Sequence, residues 1–245
     1  ARRLIDSRTP IAILPMGTAN NIAKTLGIAG RPLQKLIAGW NTARCVNFDA
    51  GVAKGPWGSR YFIEGLGIGL FAETMGDLKG EENNGTSDSG KPREVISSVQ
   101  ALLKKRLQKP RSIKMTVRLD GQDVSGDYVL LEALNIRFIG PNLDLVPRAN
   151  INDGFLDVVF VAKHERAKLK GHLSKRAKRA DSRSNLTFRR GRHLQIEWES
   201  SPVHIDDRPW PADDDRIPVQ WNTIDVTIQP GALVFLVPKT AKDAG

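Results

Sequence analysis

The chain has 245 residues, 40% of them hydrophobic and 26% charged, which is the profile of a globular protein with ample core and not of a disordered or fibrous chain. No apolar run reaches the roughly eighteen residues that a membrane helix needs, the opening "ARRLIDSRTP" has no signal-peptide pattern, and four histidines and one cysteine never fall at metal-ligand spacing, which argues against a zinc site. The formal net charge of +10 is concentrated in residues 163–193, where twelve Lys/Arg face two Asp/Glu, so the rest of the chain is neutral on balance.

In chain order, "PIAILP" (10–15) is a short apolar run closed by Pro15, the pattern of a buried parallel strand. A Gly/Thr/Asn-rich turn follows, with Asn20 expected as N-cap of a short helix whose apolar face is Ile22, Ala23 and Leu26, and Gly27 as its stop. Gly17 would let the backbone approach a ligand, Thr18 offers a hydroxyl, and the free N–H groups of the helix start suit an oxyanion or phosphate. Pro32 opens a second short helix that Gly39 ends.

From residue 43 the texture becomes strand-rich. "RCVNFDAGVAK" and "SRYFIEGLGIGLF" read as strands, and "GLGIG" lacks the spacing of a dinucleotide fingerprint. Polar "KGEENNGTSDSGKP" (79–92) reads as a loop, and 93–108 as an amphipathic helix with Val95, Val99, Leu102, Leu103 and Leu107 on one face. Alternation around Asp120-Gly121 predicts a hairpin. "GFLDVVFVA", "HLQIEWES", "SPVHIDD", "NTIDVTIQ" and "ALVFLVP" follow as short strands, the pattern of a β-sandwich or barrel.

Four segments carry a family resemblance. "ILPMGTANNIAKTLGI" (13–28) resembles the "lPlGTaNdfArtLgi" segment of the diacylglycerol kinase catalytic family, which includes bacterial lipid kinases and sphingosine and ceramide kinases. "LNIRFIGPNLDLVPRANINDGFLDVVFV" (134–161) is similar to its "N…GGG..laP.A..dDGlLdvv.v", "HIDDRPWP" (204–211) sits where the family has a "DGE" turn, and "IQPGALVFLVP" (228–238) resembles its closing strand.

The resemblance implies an α/β nucleotide-binding domain followed by a β-sandwich, with ATP and lipid meeting between them. It divides the chain into 1–44, the end of the first domain; 45–230, the sandwich; and 231–245, a strand and tail returning toward the first domain. The family's "GGDGT" phosphate loop would precede residue 1, so this reading expects an α/β remnant plus β-sandwich, a lipid kinase fragment with little activity alone. Gly17, Thr18 and Asn20 would lie beside the nucleotide phosphates. Asp153 matches the family's Mg²⁺-binding Asp, with backbone carbonyls at about Asn150 and Phe155. Asp206 and Asp207 are the candidate catalytic carboxylates, but Arg208 stands where the family has Glu, so a carboxylate from 213–215 is an alternative base and a non-catalytic lipid-binding relative an alternative reading. Glu64 departs from the family's usual Asn.

The implied partners are a membrane lipid and, through 163–193, an anionic membrane surface. With Cys45 unable to pair internally, the expected location is the cytoplasm, peripheral at the inner face of the membrane. The same basic run would suit nucleic acid, but no binding motif or aromatic interleaving accompanies it, so nucleic acid is not the expected partner. A homodimer through open strand edges is a further expectation.

Overall fold

The structure, a computed structural model, describes residues 2–83, 92–109, 111–174, 186–197, 201–211 and 223–239. The chain opens with β1 (Pro10–Ala12), α1 (Asn21–Thr25) and α2 (Leu33–Ala38). Strands β2 (Arg44–Gly55), β3 (Gly58–Phe62) and β4 (Gly65–Gly69) lead into helices α3 (Leu70–Asn83) and α4 (Pro92–Arg106). Then come β5 (Ile113–Met115), β6 (Val117–Leu119), β7 (Gln122–Asp123), β8 (Gly126–Leu134), β9 (Phe138–Ile139), β10 (Leu143–Asp144) and β11 (Leu156–Ala162). Helix α5 (Arg166–Ser174), β12 (Thr187–Gly191), β13 (His193–Glu197), β14 (Val203–Ile205), β15 (Arg208–Trp210) and β16 (Thr223–Val237) complete the described elements.

Two seven-stranded sheets form a sandwich. One runs β3-β2-β16-β13-β6-β7 with β1 joined to β16; the other runs β12-β11-β8-β4-β14-β15 with β5 beside β8. Only the β1–β16 pairing is parallel among the described strands. The inward side chains of both sheets, among them Phe62, Ile68, Leu131, Val158, Ile196, Trp210 and Val226, make one continuous core. Burial of this apolar surface is the main force holding the sheets together. A second core lies where α3, α4 and α5 cover the outer face of β8 and β11, and a third joins α1 and α2 to Phe48, Leu233, Phe235 and Val237.

Strands β2 and β16 run through both the sandwich and the α/β part. Residues 44–48 and 233–237 pair with each other, and β1 adds to 234–236; beyond a register shift between Gln229 and Leu233 the same two strands belong to the sandwich. "NTIDVTIQ" and "ALVFLVP" are therefore one strand, bent at Pro230-Gly231-Ala232, and not two. The hairpin at Asp120-Gly121 forms as the spacing predicts: both residues adopt positive φ, 50° and 79°, and Leu119 pairs with Gln122.

Three expectations need correction. Residues 70–83 are helix α3, where the sequence reads as the end of a strand and the start of a loop; residues 84–91 of that loop lie outside the described residues. The first strand is not buried: β1 pairs with β16 alone among the described strands, and Leu14 and Met16 beyond it are 39% and 73% exposed. Asn20 does not cap α1. Its φ is +53° and its side chain makes no capping hydrogen bond.

Candidate active site

The turn 17–20 closes on itself. The Gly17 N–H donates to Asn20 Oδ1 at 3.0 Å, and Asn20 Nδ2 donates to the Gly17 carbonyl at 2.6 Å. This explains the lost cap: the Asn20 amide is spent across the turn. Gly17 does not need positive φ, and a Cβ there would sit 3.4 Å from Asn20 Oδ1, in ordinary contact. Gly17 and Thr18 are exposed. Helix α1 has only five residues, so it adds little dipole to the turn.

The next residue, Asn21, reaches across to the sandwich. It is 3% exposed, and its Nδ2 donates to Glu64 Oε2 at 2.9 Å and to the Gly140 carbonyl at 3.0 Å. Its Oδ1 is buried without a hydrogen-bond partner among the described residues. Glu64 sits on the link between β3 and β4, and that link is held from two sides. From one side, the Asp206 carboxylate accepts N–H groups of Ile63, Glu64 and Gly65 at 3.0, 2.8 and 3.3 Å. From the other, the Asn135 N–H donates to the Glu64 carbonyl at 3.0 Å, and Asn135 Nδ2 donates to the carbonyls of Ile63 and Asp49.

Asp206 and Asp207 form the two-residue turn between β14 and β15, with Asp206 at φ +54°. The Asp206 carboxylate is thus engaged with backbone, while Asp207 is exposed. Beneath the turn, His204 and Glu132 form a fully buried pair, His204 Nε2 lying 2.8 Å from Glu132 Oε2 and Nδ1 3.0 Å from the Asp206 carbonyl. A carbonyl only accepts, so Nδ1 carries the proton. Burial acts to lower the His204 pKa, but the charge and hydrogen bond of Glu132 and the oxygens of Asp206 outweigh it and raise it. This pair explains part of "GLGIG": a Cβ on Gly67 would fall 2.1 Å from Glu132 Oε2.

Electrostatics single out Glu64. Removal from water raises its pKa from 4.5 to about 7; the Asn21 hydrogen bond acts the other way, and the charges of Asp206 and Asp207 add to the rise. Lys24 of α1 lies on the same side, its ammonium bonded to Asn142 Oδ1 and 6.0 Å from the centre of the Phe138 ring, with its pKa lowered by burial.

The second group of expected site residues lies between β10 and β11. Asp153 Oδ1 accepts the Phe155 N–H at 3.1 Å, and its other oxygen is paired with Arg190. Arg190 also lies 3.6 Å from Asp157, and the guanidinium groups of Arg190 and Arg192 each sit 4.6 Å from the Phe155 ring centre. Burial raises the Asp157 pKa to about 6, against the pull of Arg190. A divalent cation does not fit this arrangement as it stands: the one carboxylate of the expected set Asn150, Asp153 and Phe155 is already paired with the Arg190 guanidinium. Among the described residues no cluster of three His, Cys, Asp or Glu could hold a metal ion. The carboxylates of 213–215 lie outside the described residues.

Sequence reasoning missed Asp49. It is 1% exposed on β2, and its two oxygens accept the N–H of Gly154 at 2.7 Å and of Gly231 at 2.8 Å. It thereby ties the 150–155 turn to the bend of β16, and through Asn135 to Glu64. An Asp inside a strand opposite two Gly-containing turns was the available signal.

Comparison with known proteins follows these features. The YegS C-terminal NAD kinase beta sandwich-like domain matches residues 86–237, and the diacylglycerol kinase catalytic domain matches residues 1–51. A protein named "Probable lipid kinase YegS-like" of Stenotrophomonas maltophilia (strain K279a) is 30% identical over 167 residues, 66% of this chain and 50% of the relative. The diacylglycerol kinase of Bacillus subtilis (strain 168) is 25% identical over 165 residues, 65% of this chain and 48% of the relative. The chain therefore spans about half the length of these curated relatives. Two solved structures described as diacylglycerol kinases of Bacillus anthracis str. Sterne share the fold, with TM-scores of 0.69 and 0.63 at 17% and 18% identity, covering 98% and 95% of this chain and 73% and 68% of theirs. With most of its length matched by the sandwich domain and its first segment by the catalytic domain, the chain belongs to the diacylglycerol kinase family.

Proposed function

We propose that the protein transfers the terminal phosphoryl group of ATP to the hydroxyl of a lipid of diacylglycerol or sphingoid type. The observation that carries this reading is the Asn21–Glu64 hydrogen bond, which brings the turn resembling a phosphate-binding segment against the carboxylate loop of the sandwich. In this reading Gly17, Thr18 and Asn20 lie beside the nucleotide phosphates, Lys24 offsets their charge, and ATP arrives as its magnesium complex. Asp206 holds the 63–65 link in place, and Asp207 and Glu64 are the carboxylates within reach of the lipid hydroxyl.

A kinase acting on a membrane-embedded alcohol must reach a bilayer. The described part of the basic segment presents Lys163, Arg166, Lys168, Lys170, Arg189, Arg190 and Arg192 to solvent, with Phe188 41% exposed among them. Such a face docks on anionic headgroups with about 1 kcal/mol per cation near the surface. No helix of the described residues is long and apolar enough to cross a membrane. Arg208, at the position of the family Glu, favours a second reading, a relative that binds lipid without phosphorylating it. Incubation of the chain, extended to the full length of its curated relatives, with γ-labelled ATP and a panel of lipid alcohols in mixed micelles separates the two: label in the extracted lipid supports transfer, and lipid binding without label supports the second reading.

A further inference from the structure

Resting on the kinase reading above, we propose that Glu64 is the catalytic proton acceptor, supplying from the β3–β4 link the carboxylate that Arg208 does not. Four observations support it. First, the backbone of Glu64 is fixed on both sides, its N–H on Asp206 and its C=O on Asn135, so its side chain springs from a rigid stand. Second, its two oxygens differ: Oε2 is oriented by Asn21, while Oε1 makes no hydrogen bond among the described residues and has a lone pair to offer. Third, the Asn21 amide places that carboxylate directly against α1, one residue beyond the 17–20 turn, and leaves its own Oδ1 buried and unpartnered among the described residues. Fourth, the other acidic groups are less suited: Asp206 is spent on three amides, and Asp207 stands exposed at the hairpin tip.

The raised pKa of Glu64 agrees with this role, because a base works best when its pKa lies near the working pH. Burial raises it most; of the groups that face it, Asn21 of α1 and the buried His204 act to lower it, and Asp206 and Asp207 of the β14–β15 turn add to the rise. In the step, the lipid O–H bond breaks as its oxygen bonds to the terminal phosphorus of ATP. The proton passes to Glu64, and the bond from that phosphorus to the bridging oxygen breaks, releasing ADP.

Steady-state kinetics on the chain extended to the full length of its curated relatives, with ATP and the lipid it phosphorylates, test this. Glu64→Gln preserves shape and an acceptor for Asn21, and is expected to lower kcat by about 10²–10⁴-fold with the KM for ATP little changed. In the wild type kcat should rise with pH through about 7, as Glu64 ionises, and Glu64→Gln should lose that limb. Glu64→Ala should regain rate on addition of formate, a rescue that a structural role would not give. Glu64→Gln turnover within tenfold of wild type, with the pH limb intact, overturns the inference while leaving the kinase reading standing. Absence of transfer by the wild-type protein to every lipid overturns both.

Discussion

Asp206 offers the sharpest test of how the site is built. Its Oδ1 collects the N–H groups of Ile63, Glu64 and Gly65, with Oδ2 adding a 3.2 Å contact to Ile63, and its backbone sits in the left-handed region at φ +54°. Asp206→Asn keeps an oxygen at Oδ1 and a residue that tolerates this conformation, so it loses mainly charge assistance, about 1 kcal/mol. Asp206→Ala removes the acceptor from three amides in a partly buried loop and puts Ala, which tolerates the left-handed region less well than Asp or Asn, at positive φ. At about 1 kcal/mol or more per abandoned amide, plus about 1 kcal/mol for the backbone, it should cost about 4 kcal/mol. Urea unfolding at equal m-value measures both, and the Ala variant should fall about 3 kcal/mol below the Asn variant. Ala and Asn variants within about 0.5 kcal/mol of each other would refute the claim that this carboxylate organises the 63–65 link.

Glu64 should carry a stability cost that its replacement removes. Its folded pKa of about 7 lies above the ordinary 4.5, so the folded state binds the proton more tightly; the stability this contributes is full below 4.5 and is lost as pH rises through 7. The loss is about 3 kcal/mol, so unfolding of Glu64→Gln followed against pH should lack that decline, and matching pH profiles for wild type and variant would contradict it. At Asp153 the cation is already the guanidinium of Arg190, so thermal unfolding without nucleotide should be insensitive to Mg²⁺ and to EDTA; a clear rise in Tm with Mg²⁺ would show that a metal displaces the arginine.

Local signals made much of this fold legible. Asp120-Gly121 marked its hairpin because a two-residue turn with positive φ has few solutions in sequence, and Gly27, at φ +69°, ended its helix for a similar reason, whereas Gly39 ends α2 at φ −82°. Helix α3 was hidden because it continues without a break from the buried "GLGIG" strand, and its buried residues Leu70, Phe71, Ala72 and Thr74 crowd into its first five positions without a sustained helical stripe. The site was legible only as motifs. Asn20 looked like a cap because capping and turn closure use the same amide, and only the folded turn shows which one it serves. Asp49 and Glu64 act through partners far away in sequence: Asp49 binds amides 105 and 182 residues on, and Glu64 meets Asn21 43 residues back. Arg190 likewise meets Asp153 from 37 residues away, which is why Asp153 alone reads as a metal ligand.

The central proposal is phosphoryl transfer to a lipid hydroxyl where the 17–20 turn meets Glu64 through Asn21. The most direct measurement is phosphorus NMR of the lipid extracted after incubation of the chain, extended to the full length of its curated relatives, with magnesium-ATP and vesicles containing diacylglycerol or sphingoid alcohols. The account predicts a phosphomonoester resonance on the lipid, matched by an equal yield of ADP and lost with Glu64→Gln. ADP without lipid phosphomonoester, or neither product with folded protein and bound lipid, would contradict it.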